Sequence, residues 1–181
     1  SEGLATRDDT YSISDGETLT VPEPSGVLGN DSAPDTDTLS AEVVSRPKNG
    51  SLSLNTNGSF EYTPNSNFAG TDSFTYNASD GTLTDTATVI IVVNEVNDPP
   101  TAVNDSYNID ENTTLTVSES LGVLENDSDP DNDVLNATLV SNPTNGTLSL
   151  NKNGSFSYTP DSDFTGIDSF IYNASDRSLN S

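Results

Sequence analysis

The sequence repeats itself at one fixed offset. Adding 96 to a residue number in the first half gives its counterpart in the second, so that Asp9-Thr10-Tyr11 becomes Asp105-Ser106-Tyr107 and Gly26-Val27-Leu28 becomes Gly122-Val123-Leu124. Asn57-Gly58-Ser59-Phe60 becomes Asn153-Gly154-Ser155-Phe156, and Ala78-Ser79-Asp80 becomes Ala174-Ser175-Asp176. The register runs without a gap from Asp9 to Ser181. Such periodicity means one structural module used twice, and each copy has the size of an ordinary small domain. The division expected is therefore 1–96 and 97–181, joined by a linker around 94–100.

Within a copy, apolar residues alternate with polar ones over short stretches. Tyr11, Ile13, Leu19 and Val21 suit an opening strand pair, and Leu52 and Leu54 alternate strictly with serines. Phe60 and Tyr62, then Phe74, Tyr76 and Ala78, then Ala87, Val89, Ile91 and Val93, continue the period of two. That period places one face of each segment inward. Asn57-Gly58 and Asp80-Gly81 are turn dipeptides between such segments, and no helical period is sustained. About seven short strands per copy predict an all-β chain of two tandem Ig-like Greek-key β-sandwiches. Ser181 is the counterpart of Asp85, so the second sandwich is expected to lack its final strand. The fragment is then truncated there, the simpler reading, or the strand is donated by another chain or supplied by sequence beyond an insertion; without it the sandwich exposes an apolar groove and two unpaired edges.

The joint itself reads Val93-Asn94-Glu95-Val96-Asn97-Asp98-Pro99-Pro100. Two prolines fix φ and remove two donors, so this link is short, stiff and acidic. Acidity is general: 29 Asp and Glu face 5 Lys and Arg, a formal charge of -24. Such a field repels nucleic acid and destabilises a compact state unless something cationic neutralises it. There is no Cys and no His, which excludes disulfides, thiolate metal sites, and the commonest general base. Oxygen ligands remain. No apolar run is long enough for membrane insertion.

The densest group of acids is Asn126-Asp127-Ser128-Asp129-Pro130-Asp131-Asn132-Asp133. Alternate acids at 129, 131 and 133 suggest the start of an EF-hand loop, but the sixth position is Val134 rather than Gly and the twelfth is Val140 rather than Glu. A different pattern fits. Asp110-Glu111-Asn112 resembles the Glu-Asn opening of cadherin repeats, and Asp129-Pro130-Asp131 with Asn136-Ala137 resembles their Asp-x-Asp and Asn-Ala segment. Ala174-Ser175-Asp176 is similar to their Ala-x-Asp motif. Glu95-Val96-Asn97-Asp98-Pro99-Pro100 is similar to their Asp-x-Asn-Asp-Asn-x-Pro joint, with Glu for the first Asp. Over nearly its whole length the chain resembles the bacterial cadherin-like tandem repeats of large RTX-type surface adhesins.

That resemblance implies Ca2+ held between consecutive domains. Carried over residue by residue, the ligands would be Glu95, Asn97 and Asp98 from the linker and Asp129, Asp131 and Asp176 from the second copy. The first copy would add Asp15, counterpart of Glu111, and Asp72, matched by position alone. Asp35 and Asp37 are weaker candidates, because Ala33 stands where Asp129 stands. Ser1-Glu2-Gly3-Leu4 does not reproduce the linker, so the other end of the first copy is expected to bind calcium poorly. Calcium takes 6–8 hard oxygen ligands, and a joint that converges carboxylates and an amide can supply them.

The expected function is a non-catalytic, calcium-binding extender and adhesion repeat of a secreted or cell-surface bacterial adhesin, with neighbouring repeats as its partners. The alternative is a calcium-dependent polysaccharide-binding module. Trp is absent and the tyrosines occupy core-type positions, which leaves little for stacking on sugars. Paired carboxylates could serve glycoside hydrolysis, but acids clustered at domain ends repel one another or bind metal, so no enzyme is expected.

Overall fold

The computed structural model describes residues 3–33 and 37–181; Asp35 and the Ser1-Glu2 pair lie outside the described residues. The chain divides into two compact units, Ser1–Val96 and Asn97–Ser181.

The alternating segments of the first unit form seven strands: β1 (Asp9–Ser14), β2 (Leu19–Val21), β3 (Ser40–Ser45), β4 (Gly50–Leu54), β5 (Phe60–Pro64), β6 (Gly70–Ser79) and β7 (Thr84–Asn94). One sheet has the order β1-β7-β6-β3, the other β2-β5-β4. β1 runs parallel to β7, from Asp9 opposite Val89 to Ser14 opposite Asn94; the remaining pairs are antiparallel. The chain changes sheet after β1, after β2, after β3 and after β5, which is a Greek-key sandwich.

The period of two fixes the core. Phe60 and Tyr62 from one sheet meet Phe74, Tyr76 and Ala78 and the inward residues of β7, all buried. Phe60 packs edge-on against both Tyr11 and Phe74, with ring centroids 5.1 and 5.5 Å apart. β7 lies inside its sheet, between β1 and β6, so Ala87, Val89, Ile91 and Val93 are each at most 4% exposed. Burying one such Val or Ile side chain stabilises the fold by about 1.5–3 kcal/mol.

The loop between β4 and β5 differs from a two-residue hairpin. Only Gly58 has positive φ, at 86°, while the side chain of Asn57 accepts hydrogen bonds from Ser59 N at 3.1 Å and Ser59 Oγ at 2.7 Å. The Gly58 carbonyl then accepts Val27 N at 2.9 Å. A Cβ on Gly26 would stand 2.2 Å from that oxygen, which explains a glycine there. Gly122 and Gly154 repeat the arrangement in the second unit.

The second unit has β8 (Leu115–Val117), β9 (Asn136–Ser141), β10 (Gly146–Leu150), β11 (Phe156–Pro160) and β12 (Ile171–Ser175). Its sheets are β10-β11-β8 and β12-β9. Residues 105–110, which match β1, are not a strand, and β12 is half as long as β6. A strand is defined by its neighbours. In the first unit the matching segments both pair with β7. The core thins to match: Phe170, Tyr172, Tyr158 and Leu148 are only partly buried, whereas Phe74, Tyr76, Tyr62 and Leu52 are buried.

Candidate metal centre

In the second unit, hydrogen bonds between Thr101 and Ser128 (2.8 and 3.0 Å) tie the segment after Pro99-Pro100 to the acidic loop. Pro130 has its φ fixed by its ring, and the turn closes with Asn132 N donating to Asp129 O at 3.2 Å. Asn132 sits at φ 61°, a left-handed conformation that asparagine tolerates. The turn curls around one carboxylate. Asp129 Oδ1 accepts Asp131 N at 2.9 Å and Asp133 N at 3.0 Å, and Asp131 Oδ2 accepts Asp98 N at 2.7 Å. Asp133 pairs with the Arg177 Nε at 2.8 Å, but the arginine side chain is mostly exposed, so this ion pair contributes little.

Asp176 closes the group from the end of β12, 7% exposed. Its Oδ1 accepts Ser178 N at 2.6 Å and Leu179 N at 2.7 Å, and its Oδ2 accepts Asn97 Nδ2 at 3.0 Å. The Leu179 and Ser178 amides, then the Asn97 side chain and Arg177, hold its carboxyl below the ordinary aspartate value. It is therefore charged at neutral pH.

Two oxygens of this network are left over. Asn97 Oδ1 and Asp129 Oδ2 are buried and meet no hydrogen-bond donor. A buried polar atom without a partner costs about 1–3 kcal/mol and is rare. Both atoms are hard oxygens among carboxylates, so a proton donor is not at hand and a cation is the partner that suits them. The donor set of Asn97, Asp98, Asp129, Asp131 and Asp176 fits a calcium ion in charge and in ligand type.

In the first unit, Asp15 Oδ1 accepts Val96 N at 2.9 Å, and Asp15 N donates to Asn94 O at 2.8 Å. Asn94 Nδ2 in turn donates to Ser12 Oγ at 2.8 Å. The last residues of this unit are thus fastened beside Asp15, with Glu95 exposed between them. Val96 is covalently followed by Asn97.

Asp72 has a different role from the one its position suggests. Its oxygens accept Lys48 N, Asn49 N, Ser73 N and the Tyr62 hydroxyl, at 2.8–3.0 Å. Burial raises its pKa, but those donors outweigh it and the net direction is down. Its lone pairs are spent on pinning the β3–β4 turn to β6. Asp168 does the same work in the second unit, where its donors overcome burial and hold its carboxyl at about 2. Position in the sequence cannot reveal which amides surround a carboxylate. Ala33 removes the counterpart of Asp129, although Asp80 keeps the turn made by Asp176, accepting Thr82 N and Leu83 N.

A second acidic cluster escaped the sequence reading. The Tyr76 hydroxyl lies 2.8 Å from Asp31 Oδ2 and 2.7 Å from Val27 O, two acceptors for one hydroxyl hydrogen. Asp9 stands beside them with Oδ2 buried and unpartnered. Burial, and next the charge of Asp31, push its carboxyl up to about 6. Tyr172 repeats the contacts with Val123 O, Asp127 and Asp105. The signal was present in both copies, as Asp9 and Asp31 recur at Asp105 and Asp127.

Residues 97–181 match the bacterial cadherin-like domain and residues 4–92 the bacterial Ig domain. Each half of the chain is thus similar to one of these two bacterial domain families. Domains of these families are generally non-catalytic. Human protocadherin-24 EC1-2 is similar in structure, with a TM-score of 0.63 and 15% identity over 96% of this chain and 86% of that one. Drosophila N-cadherin EC1-4 gives a TM-score of 0.53 and 19% identity over 94% of this chain and 44% of that one. An endo-fucoidan hydrolase of glycoside hydrolase family 107 gives a TM-score of 0.35 and 22% identity over 99% of this chain. This chain spans only 27% of that hydrolase, and less than half of N-cadherin EC1-4. At these identities the likeness to cadherins concerns the fold. No curated protein sequence matches the chain. Among the described residues no helix is long and apolar enough to cross a membrane, and no aromatic ring is fully exposed.

Proposed function

We propose that the two domains form an adhesion and extender segment of a bacterial cell-surface or secreted protein, with calcium stiffening the joint around 94–100. The observation that carries this reading is the pair of buried, unpartnered oxygens Asn97 Oδ1 and Asp129 Oδ2, set in a network of carboxylates. The proposed ligands are Asn97, Asp98, Asp129, Asp131 and Asp176 of the second domain. Asp72 is not among them. Without the ion these carboxylates repel one another, and the joint loosens. Extracellular calcium modules bind with dissociation constants of about 10⁻⁴–10⁻³ M. Calcium at about 100-fold above that constant adds about 2.7 kcal/mol to the bound state per site.

An exposed aromatic platform would favour sugar binding instead, and the rings of both domains are wholly or partly buried, which supports the mechanical reading over the polysaccharide one. Calorimetric titration with calcium tests the site, and small-angle scattering with and without chelator tests the stiffening. Heat of binding in the wild type that disappears in Asp98→Ala supports the proposal. A scattering envelope unchanged by chelator removes the mechanical part of it.

A further inference from the structure

Asn-Gly occurs four times, at 49–50, 57–58, 145–146 and 153–154. This dipeptide can react with itself in water, because no Cβ shields the glycine nitrogen from the asparagine Cγ. In a folded chain the reaction needs that nitrogen and that side-chain amide to be free. The fold treats the four pairs in two ways. Gly58 N donates to Asn55 O and Gly154 N to Asn151 O, each at 3.0 Å. The side chains before them are held at both ends. Asn57 Oδ1 accepts Ser59 N while its Nδ2 donates to Glu23 at 3.3 Å, and Asn153 binds Ser155 and Glu119 in the same way.

Gly50 and Gly146 are placed otherwise. They open β4 and β10, which are edge strands of their sheets. Asn65 N donates to Asn49 O at 2.7 Å, and Asp161 N to Asn145 O at 2.8 Å. Bonded and non-bonded pairs alternate along an antiparallel ladder. The next pairs, Gly50 with Pro64 and Gly146 with Pro160, are therefore non-bonded, and each proline has no N–H to give. Each glycine N–H turns away from the partner strand, toward the open edge. Among the described residues the Asn49 side chain makes no hydrogen bond, and Asn145 Nδ2 donates to the neighbouring Thr144 Oγ1 at 3.0 Å. Packing demands the glycines, since a Cβ on either would stand 2.5 Å from the ring of Tyr62 or Tyr158. Both copies thus present the reactive nitrogen at the same place.

We propose that Asn49 and Asn145 are sites of spontaneous deamidation, and that the fold protects Asn57 and Asn153. The Gly50 nitrogen bonds to Asn49 Cγ and the Cγ–Nδ2 bond breaks. The Gly50 N–H proton passes through water and ends on the departing ammonia. A water molecule then opens the five-membered imide at one of its two carbonyls, leaving aspartate or isoaspartate. Either product adds a negative charge beside Asp72, or beside Asp168 in the second domain. Those carboxylates pin their turns through Asn49 N at 2.9 Å and Asn145 N at 2.8 Å. Isoaspartate also adds a methylene to the main chain and takes out of it the carbonyl that Asn65 N or Asp161 N holds. The turn before β4 or β10 therefore loosens as the protein ages. This inference stands whether or not the joint binds calcium.

The test incubates the whole chain at mildly alkaline pH, folded and in urea, and follows the amide-to-acid mass change at each Asn-Gly by peptide mapping. In the folded chain Asn49 and Asn145 should convert at least about tenfold faster than Asn57 and Asn153, which must first break several hydrogen bonds. In urea all four should convert alike. Equal rates in the folded chain overturn the proposal, as do faster conversion at 57 and 153 or no conversion at any of the four. Protein converted at Asn49 and separated by anion exchange should show faster hydrogen exchange at the amides of residues 48 and 49. Unchanged exchange there overturns the loosening of the turn.

Discussion

The two domains share a sequence pattern and differ most in one strand. In the first, β7 lies between β1 and β6 and closes the core. In the second, the residues that match β1 are irregular, β12 is short, and four large side chains that are buried in the first domain gain exposure. The residues are much the same. Residues 9–14 form a strand and 105–110 do not, so local preference alone does not decide strand formation there. The acidic loops differ the other way. The second domain has Asp129 at the centre of its turn, and the first has Ala33.

The largest effect that should separate the domains comes from their matched phenylalanines. Phe74→Ala should cost the first domain about 3–5 kcal/mol, because Phe74 is fully buried. Phe170→Ala should cost the second less than half as much; equal losses, measured by urea unfolding followed through domain-specific amides, would break the comparison. Gly26→Ala and Gly122→Ala should instead destabilise their domains equally, by about 1–3 kcal/mol, because both glycines meet the same carbonyl oxygen. Unequal costs would break the equivalence of the two turns.

Calcium gives the third contrast. Asp129→Ala should weaken calcium binding about tenfold or more, whereas Asp37→Ala in the first domain should leave the titration unchanged.

The smallest effect concerns acid. Asp9 is held up to about 6 by burial and then by Asp31. An aspartate raised in the folded state stabilises the fold below its unfolded value near 4, and that stabilisation is lost as pH rises through about 6. The first domain should therefore melt higher at pH 5 than at pH 7 in the presence of chelator, and Asp9→Asn should flatten the difference. A slope that survives the substitution would assign it to the net charge of -24 instead.

Much of this was legible in the sequence. The offset of 96 and the alternation through β4, β5, β6 and β7 pointed to the sandwich and to the seven strands and inward residues of the first domain, whereas the second has five strands. Less legible were features that depend on which groups meet in space. Asp72 and Asp129 look alike as single acids, but one is surrounded by four donors and the other has a buried oxygen with none. Asn57-Gly58 signalled a turn correctly, but the asparagine acts through its side chain and only the glycine adopts positive φ. The cluster of Asp9, Asp31 and Tyr76 draws on three distant segments, and only the fold brings them together.

The parallel pairing of β1 with β7 has a further consequence. Chain direction is the same in both, so β1 begins beside Asp9 and β7 ends at Asn94, at opposite ends of the same ladder. Tension applied along the polypeptide loads the six register pairs between the two strands side by side, over a length of about 20 Å, rather than opening them one after another like a zip. Pulled lengthwise, that ladder would have to give way all at once, whereas a pull across the strands would part its pairs in turn.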